Sequence, residues 1–85
     1  MTRQIPVQRV QTGLRIEKRI LKVLKALAEY LDMTLGDLIE GIVLHVFEGK
    51  TPFSEDHLKK IQAIKKIYDL DLDATHSHQL MDRNE

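Results

Sequence analysis

The stretch Arg9–Ile16, "RVQTGLRI", decides how the chain is read. Val10, Thr12, Leu14 and Ile16 alternate with Arg9, Gln11, Gly13 and Arg15, and that period of two predicts a β-strand with one apolar and one polar face. Before it, residues 1–7 ("MTRQIPV") form a short arm that Pro6 keeps out of any helix. After it the period changes to about 3.6, and no second strand follows.

From Glu17, the residues Ile20, Val23, Leu24, Leu27, Ala28 and Leu31 fall on one stripe, with Lys18, Lys22, Lys25 and Glu29 opposite. The spacing predicts an amphipathic helix that stops at "LDMT". Thr34 is a good N-cap, and Asp37 three residues later makes a capping-box-like opening for a second helix. That helix carries Leu35, Leu38, Ile39, Ile42, Val43, Val46 and Phe47, apolar around most of its circumference, and ends at Gly49. A helix of this kind is expected to be buried on several sides. "KTPFS" is a turn, and Ser54 caps a third helix with Leu58, Ile61, Ile64 and Ile67 or Tyr68 as its stripe. The organisation expected is therefore an arm (1–7), a folding core (8–49), a third helix (50–70) and an acidic, loosely ordered tail (71–85).

Eighty-five residues suffice for one small domain. There is no cysteine, so disulfides, thiolate chemistry and cysteine-ligated zinc are all excluded. No apolar run approaches the roughly 20 residues of a membrane span, and no signal-like segment opens the chain, so a cytoplasmic protein is expected. The formal net charge is zero, but its distribution is lopsided. Residues 1–28 carry seven cations against one anion, and the remainder six cations against twelve anions. A basic end facing a partner and an acidic tail are the expectation.

A lone strand leaves backbone groups unpaired along both edges, and the simplest partner is the same strand of a second copy. Two-fold symmetry makes that pairing antiparallel and isologous. The expected fold is thus mainly α with one short N-terminal strand, as an intertwined homodimer with an intermolecular two-stranded antiparallel ribbon. Val10, Leu14, Ile16, Leu24, Leu27, Leu38, Ile39, Ile42 and Val46 would form the dimer core. The other ribbon face would present Arg9, Gln11, Gly13 and Arg15 twice. A ribbon of that width enters the DNA major groove, where Arg pairs with guanine and Gln with adenine. The start of the second helix, at Leu35 and Gly36, offers N–H groups to a backbone phosphate.

At this point the sequence resembles the ribbon-helix-helix family of transcriptional repressors. The resemblance rests on the strand "RVQTGLRI", the helix "EKRILKVLKALAEYL", the turn "DMT" and the helix "LGDLIEGIVLHVF", from about Val7 to Phe47. It implies a bacterial, sequence-specific repressor binding double-stranded DNA as a homodimer, with dimers assembling further on adjacent half-sites. Carried over by position, the base readers are Gln11, Gly13 and Arg15, with Arg9 at the margin, and the phosphate clamp is Thr34, Leu35 and Gly36. Gly13 has no side chain to read with, which leaves a close backbone approach, fewer base contacts or a local bulge. Asp32 stands where the family often has glycine, and Asp tolerates a left-handed backbone better than most residues.

Two other readings stay open. An antitoxin would bind DNA through its N-terminal dimer and a toxin through residues 51–85, and a dimeric protein-interaction module would bind no DNA. No enzyme is expected, because the chain has no nucleophile elbow, phosphate loop or HExxH. No cofactor or metal is expected either. His76 and His78 stand two residues apart in the tail without cysteine support.

Overall fold

Glu17, which is not among the favoured capping residues, opens the first helix. Its carboxylate accepts the Ile20 N–H at 2.9 Å and the Arg19 Nε–H at 3.1 Å. Helix α1 then runs Lys18–Tyr30, α2 Leu35–Phe47 and α3 Glu55–Ile67, followed by a 3₁₀ turn at Ala74–His76. The computed structural model describes residues 4–83. The first part of the expected arm and the last two residues of the tail lie outside them.

Thr34 and Ser54 cap α2 and α3 as their residue types favour, accepting the N–H groups of Asp37 and His57. All three helices end alike. Asp32, Gly49 and Asp69 take positive φ of 59°, 69° and 53°. The next amides, of Met33, Lys50 and Leu70, reach back to the carbonyls of Ala28, His45 and Lys65 at 2.9–3.0 Å. These are Schellman stops, which satisfy carbonyls that the helix itself leaves unpaired. Two of the three left-handed positions are aspartate rather than glycine.

Helix α1 is the hub and packs against both α3 and α2. The buried core is Val23, Leu27 and Ala28 of α1, Leu38 of α2 and Ile64 of α3. Leu24, Leu31, Ile42, Phe53, Ile61 and Tyr68 pack around it. The period-3.6 stripes of α1 and α3 thus find each other within one chain. No helix among the described residues is long and apolar enough to cross a membrane.

The architecture corrects the expected one. Among the described residues there is no β-strand, and the fold is three-helix and all-α rather than ribbon-helix-helix. Residues 4–16 run without helix or strand, and no backbone hydrogen bond ties them to the rest of the described chain. The physical reason lies in what alternation encodes. It sets which side chains share a face, but a strand exists only as a ladder, and among the described residues no second strand pairs with this segment.

The expected dimer core divides accordingly. Leu27 and Leu38 are buried, and Leu24 and Ile42 pack on them, all inside a single chain. Ile39 is half-buried, while Val10, Leu14, Ile16 and Val46 are exposed. Helix α2, expected to be covered on several sides, is covered on one, through Leu38. Val43, Leu44, Val46 and Phe47 all face outward, Phe47 at 77% exposure.

Candidate nucleic-acid interface

The segment before α1 faces the starts of α1 and α2, with Arg9 reaching Glu40 of α2. Between them lies an open groove of about 1580 Å³, and the residues that line it include Arg9, Arg15, Lys18 and Arg19 together with Leu35, Gly36 and Ile39. Five cations, these four and Arg83, therefore gather beside the positive end of the α2 dipole, with Glu17, Glu40 and Asp82 lining the same groove. Thr34 is occupied with the Asp37 N–H at 3.1 Å, so capping is its local task. The N–H groups of Leu35 and Gly36 lie in the first turn, where no intrahelical acceptor exists.

The structure brings Arg9, Arg15, Leu35 and Gly36 to one groove. Gln11 and Gly13 are exposed on the same segment but do not line it. A Cβ built at Gly13 or at Gly36 would meet nothing within 4 Å, so neither glycine is required by crowding. Gly13 is therefore open to a side chain, and only an approaching partner could make its small size necessary.

Arg9, Arg15 and Arg19 each already face a carboxylate. Arg9 forms a two-pronged pair with Glu40, Nε and Nη2 each donating at 2.8 Å. That hydrogen bonding raises the Arg9 pKa and holds the Glu40 carboxyl below its usual range. Arg15 Nη2 meets Asp82 at 2.7 Å. Arg19 donates from Nε to Glu17 at 3.1 Å, and from Nη1 to Asp71 and to the Asp69 carbonyl, both at 2.9 Å. Its pKa is raised, chiefly by the hydrogen bond to Glu17. Burial pushes the Glu17 carboxyl upward, but the Ile20 amide and Arg19 outweigh it and leave the pKa lowered.

The carboxylates are what sequence reasoning missed. Glu40 lies 31 residues from Arg9, and Asp82 lies in a stretch without a period. Only the tail's acidity hinted at such partners. Within the tail, Ala74–His76 forms a short 3₁₀ turn. Asp73 caps the Ala74–His76 turn and donates its own N–H to His76 Nδ1 at 3.0 Å. Bonds from the Thr75 hydroxyl and amide hold the Asp73 pKa down. His76 thus serves a turn. Among the described residues no group of three or more His, Asp or Glu is placed to hold a metal ion.

Comparisons with protein-family models, with curated proteins and with solved structures found no match for this chain.

Proposed function

We propose that the protein is a homodimeric, sequence-specific DNA-binding regulator of transcription, acting as a repressor. The observation that carries this reading is the convergence of Arg9, Arg15, Lys18 and Arg19 with the start of α2 on one groove. Guanidinium groups, ammonium groups and helix-terminal N–H groups are the donors that phosphate oxygens take. Gln11, exposed on the same extended segment, is free to reach a base edge, since Asn and Gln pair with adenine.

The homodimer rests on a separate observation. The outward face of α2 leaves Val43, Leu44, Val46 and Phe47 exposed together near its C-terminal end. Contiguous apolar faces of this sort mark association sites. Two copies joined there double the number of basic grooves, so each DNA site would be read twice.

A dimeric protein-interaction module without DNA binding is the second reading. Its support is that Arg9 and Arg15 are paired with carboxylates in a chain of zero net charge. Selection from a randomised duplex pool separates the two. Enrichment of a two-fold repeated sequence is the expected result, and a pool that stays random after binding at low salt overturns the regulator.

A further inference from the structure

The segment that follows α3 returns to the opposite end of the sequence. Its described part, residues 69–83, holds four aspartates against one arginine, Arg83, which also lines the groove. Asp82 pairs with Arg15 at 2.7 Å, and Asp71 with Arg19 at 2.9 Å, across 52 residues of sequence in the second case. The Asp69 carbonyl adds a second acceptor for Arg19. Leu80 and Met81 line the same groove as the arginines. The return path is itself fastened, because Lys65 Nζ of α3 donates to the Leu72 carbonyl at 3.0 Å and Asp73 caps the following turn.

The geometry points to an autoinhibitory strap. Asp82 and Asp71 lay their carboxylates where phosphate oxygens would sit on Arg15 and Arg19, and an incoming polyanion must displace them. This inference rests on the DNA-binding reading and adds a brake to it. The strap is built to yield. The Arg15 and Asp82 side chains are 87% and 74% exposed, and ion pairs so open to solvent are weak and screened by salt. A phosphate backbone offers several anions at once, so it outcompetes single carboxylates held on a short segment. The same exposure leaves the strap available to be drawn off by any basic partner, which would raise DNA affinity without touching the groove.

The test uses the full chain with ¹⁵N label and three variants, Asp82→Asn, the double variant Asp71→Asn with Asp82→Asn, and Glu29→Gln. Glu29 is an exposed acid on α1 whose loss changes the net charge by one, as each strap substitution does, without touching the strap. The Arg15 Nε–Hε resonance should move in Asp82→Asn and stay in place in Glu29→Gln. Against a mixed-sequence duplex, each strap variant should bind about two- to fivefold tighter per pair removed, and Glu29→Gln distinctly less. An Arg15 resonance unchanged by Asp82→Asn overturns the strap, and so does duplex binding that tightens no more in the strap variants than in Glu29→Gln.

Tripolyphosphate is titrated in parallel as a probe independent of DNA. If no variant binds duplex but Asp82→Asn takes tripolyphosphate more tightly than the wild type and the equally charged Glu29→Gln, the strap stands and the DNA reading fails. If neither anion distinguishes the strap variants from Glu29→Gln, the strap is wrong whatever binds.

Discussion

Val46→Asp is the sharpest probe of the homodimer. Val46 lies near the C-terminal end of α2 and is 57% exposed, so the folded chain gains little from it. Full burial of a valine side chain is worth about 1.5–3 kcal/mol, so covering the exposed fraction in a dimer would contribute roughly 1–1.5 kcal/mol per copy. Two-fold symmetry counts that twice, giving about 2–3 kcal/mol, or a dimer dissociation constant raised roughly 30- to 150-fold. A buried aspartate adds its desolvation on top, so this range is a lower bound. Sedimentation equilibrium across a concentration series gives the dissociation constant, and circular dichroism gives the helix content. A dimeric wild type and a variant that dissociates while keeping its helices are the expected results. A wild type that remains monomeric at about 100 μM, or a variant that dimerises as the wild type does, refutes the reasoning.

Three further outcomes follow from the same structure. Leu27 is 2% exposed at the centre of a small core, so Leu27→Ala should cost about 2–5 kcal/mol, read from the urea midpoint. Asp32 sits at φ 59°, where glycine carries no Cβ penalty, and Asp32→Gly should raise stability by up to about 1 kcal/mol in the same assay. The carboxyls of Glu17, Glu40 and Asp73 have folded pKa values below their ordinary ones, so their stabilisation is present above the unfolded values and lost as pH falls through the folded ones. The urea midpoint should therefore fall from about pH 4.5 downward, and a midpoint flat across that range would contradict the assigned pairs.

The helices were legible because local chemistry marks them. Thr34 and Ser54 announce the starts of α2 and α3, and Gly49 the end of α2, while the stripe from Val23 to Ala28 identifies the face that is buried. The stop at Asp32 was legible only through aspartate's tolerance of a left-handed backbone. "RVQTGLRI" misled because alternation reports faces and not pairing, so a strand was inferred where the chain supplies no ladder. Of the candidate site, Arg9, Arg15, Leu35 and Gly36 come from sequence spacing and do share a groove. Their carboxylate partners Glu40, Asp71 and Asp82 were illegible, since contacts across 31 to 67 positions leave no periodic trace.

The proposal that the groove binds DNA is tested most directly by fluorescence anisotropy of wild type and Arg15→Ala on one duplex, at about 50 and 200 mM salt. About four phosphate contacts predict a fall in wild-type affinity of roughly 100-fold between the two salts. Loss of Arg15 should flatten that dependence and weaken low-salt binding several-fold. Binding that is absent at low salt, or identical in the two proteins, would contradict the account.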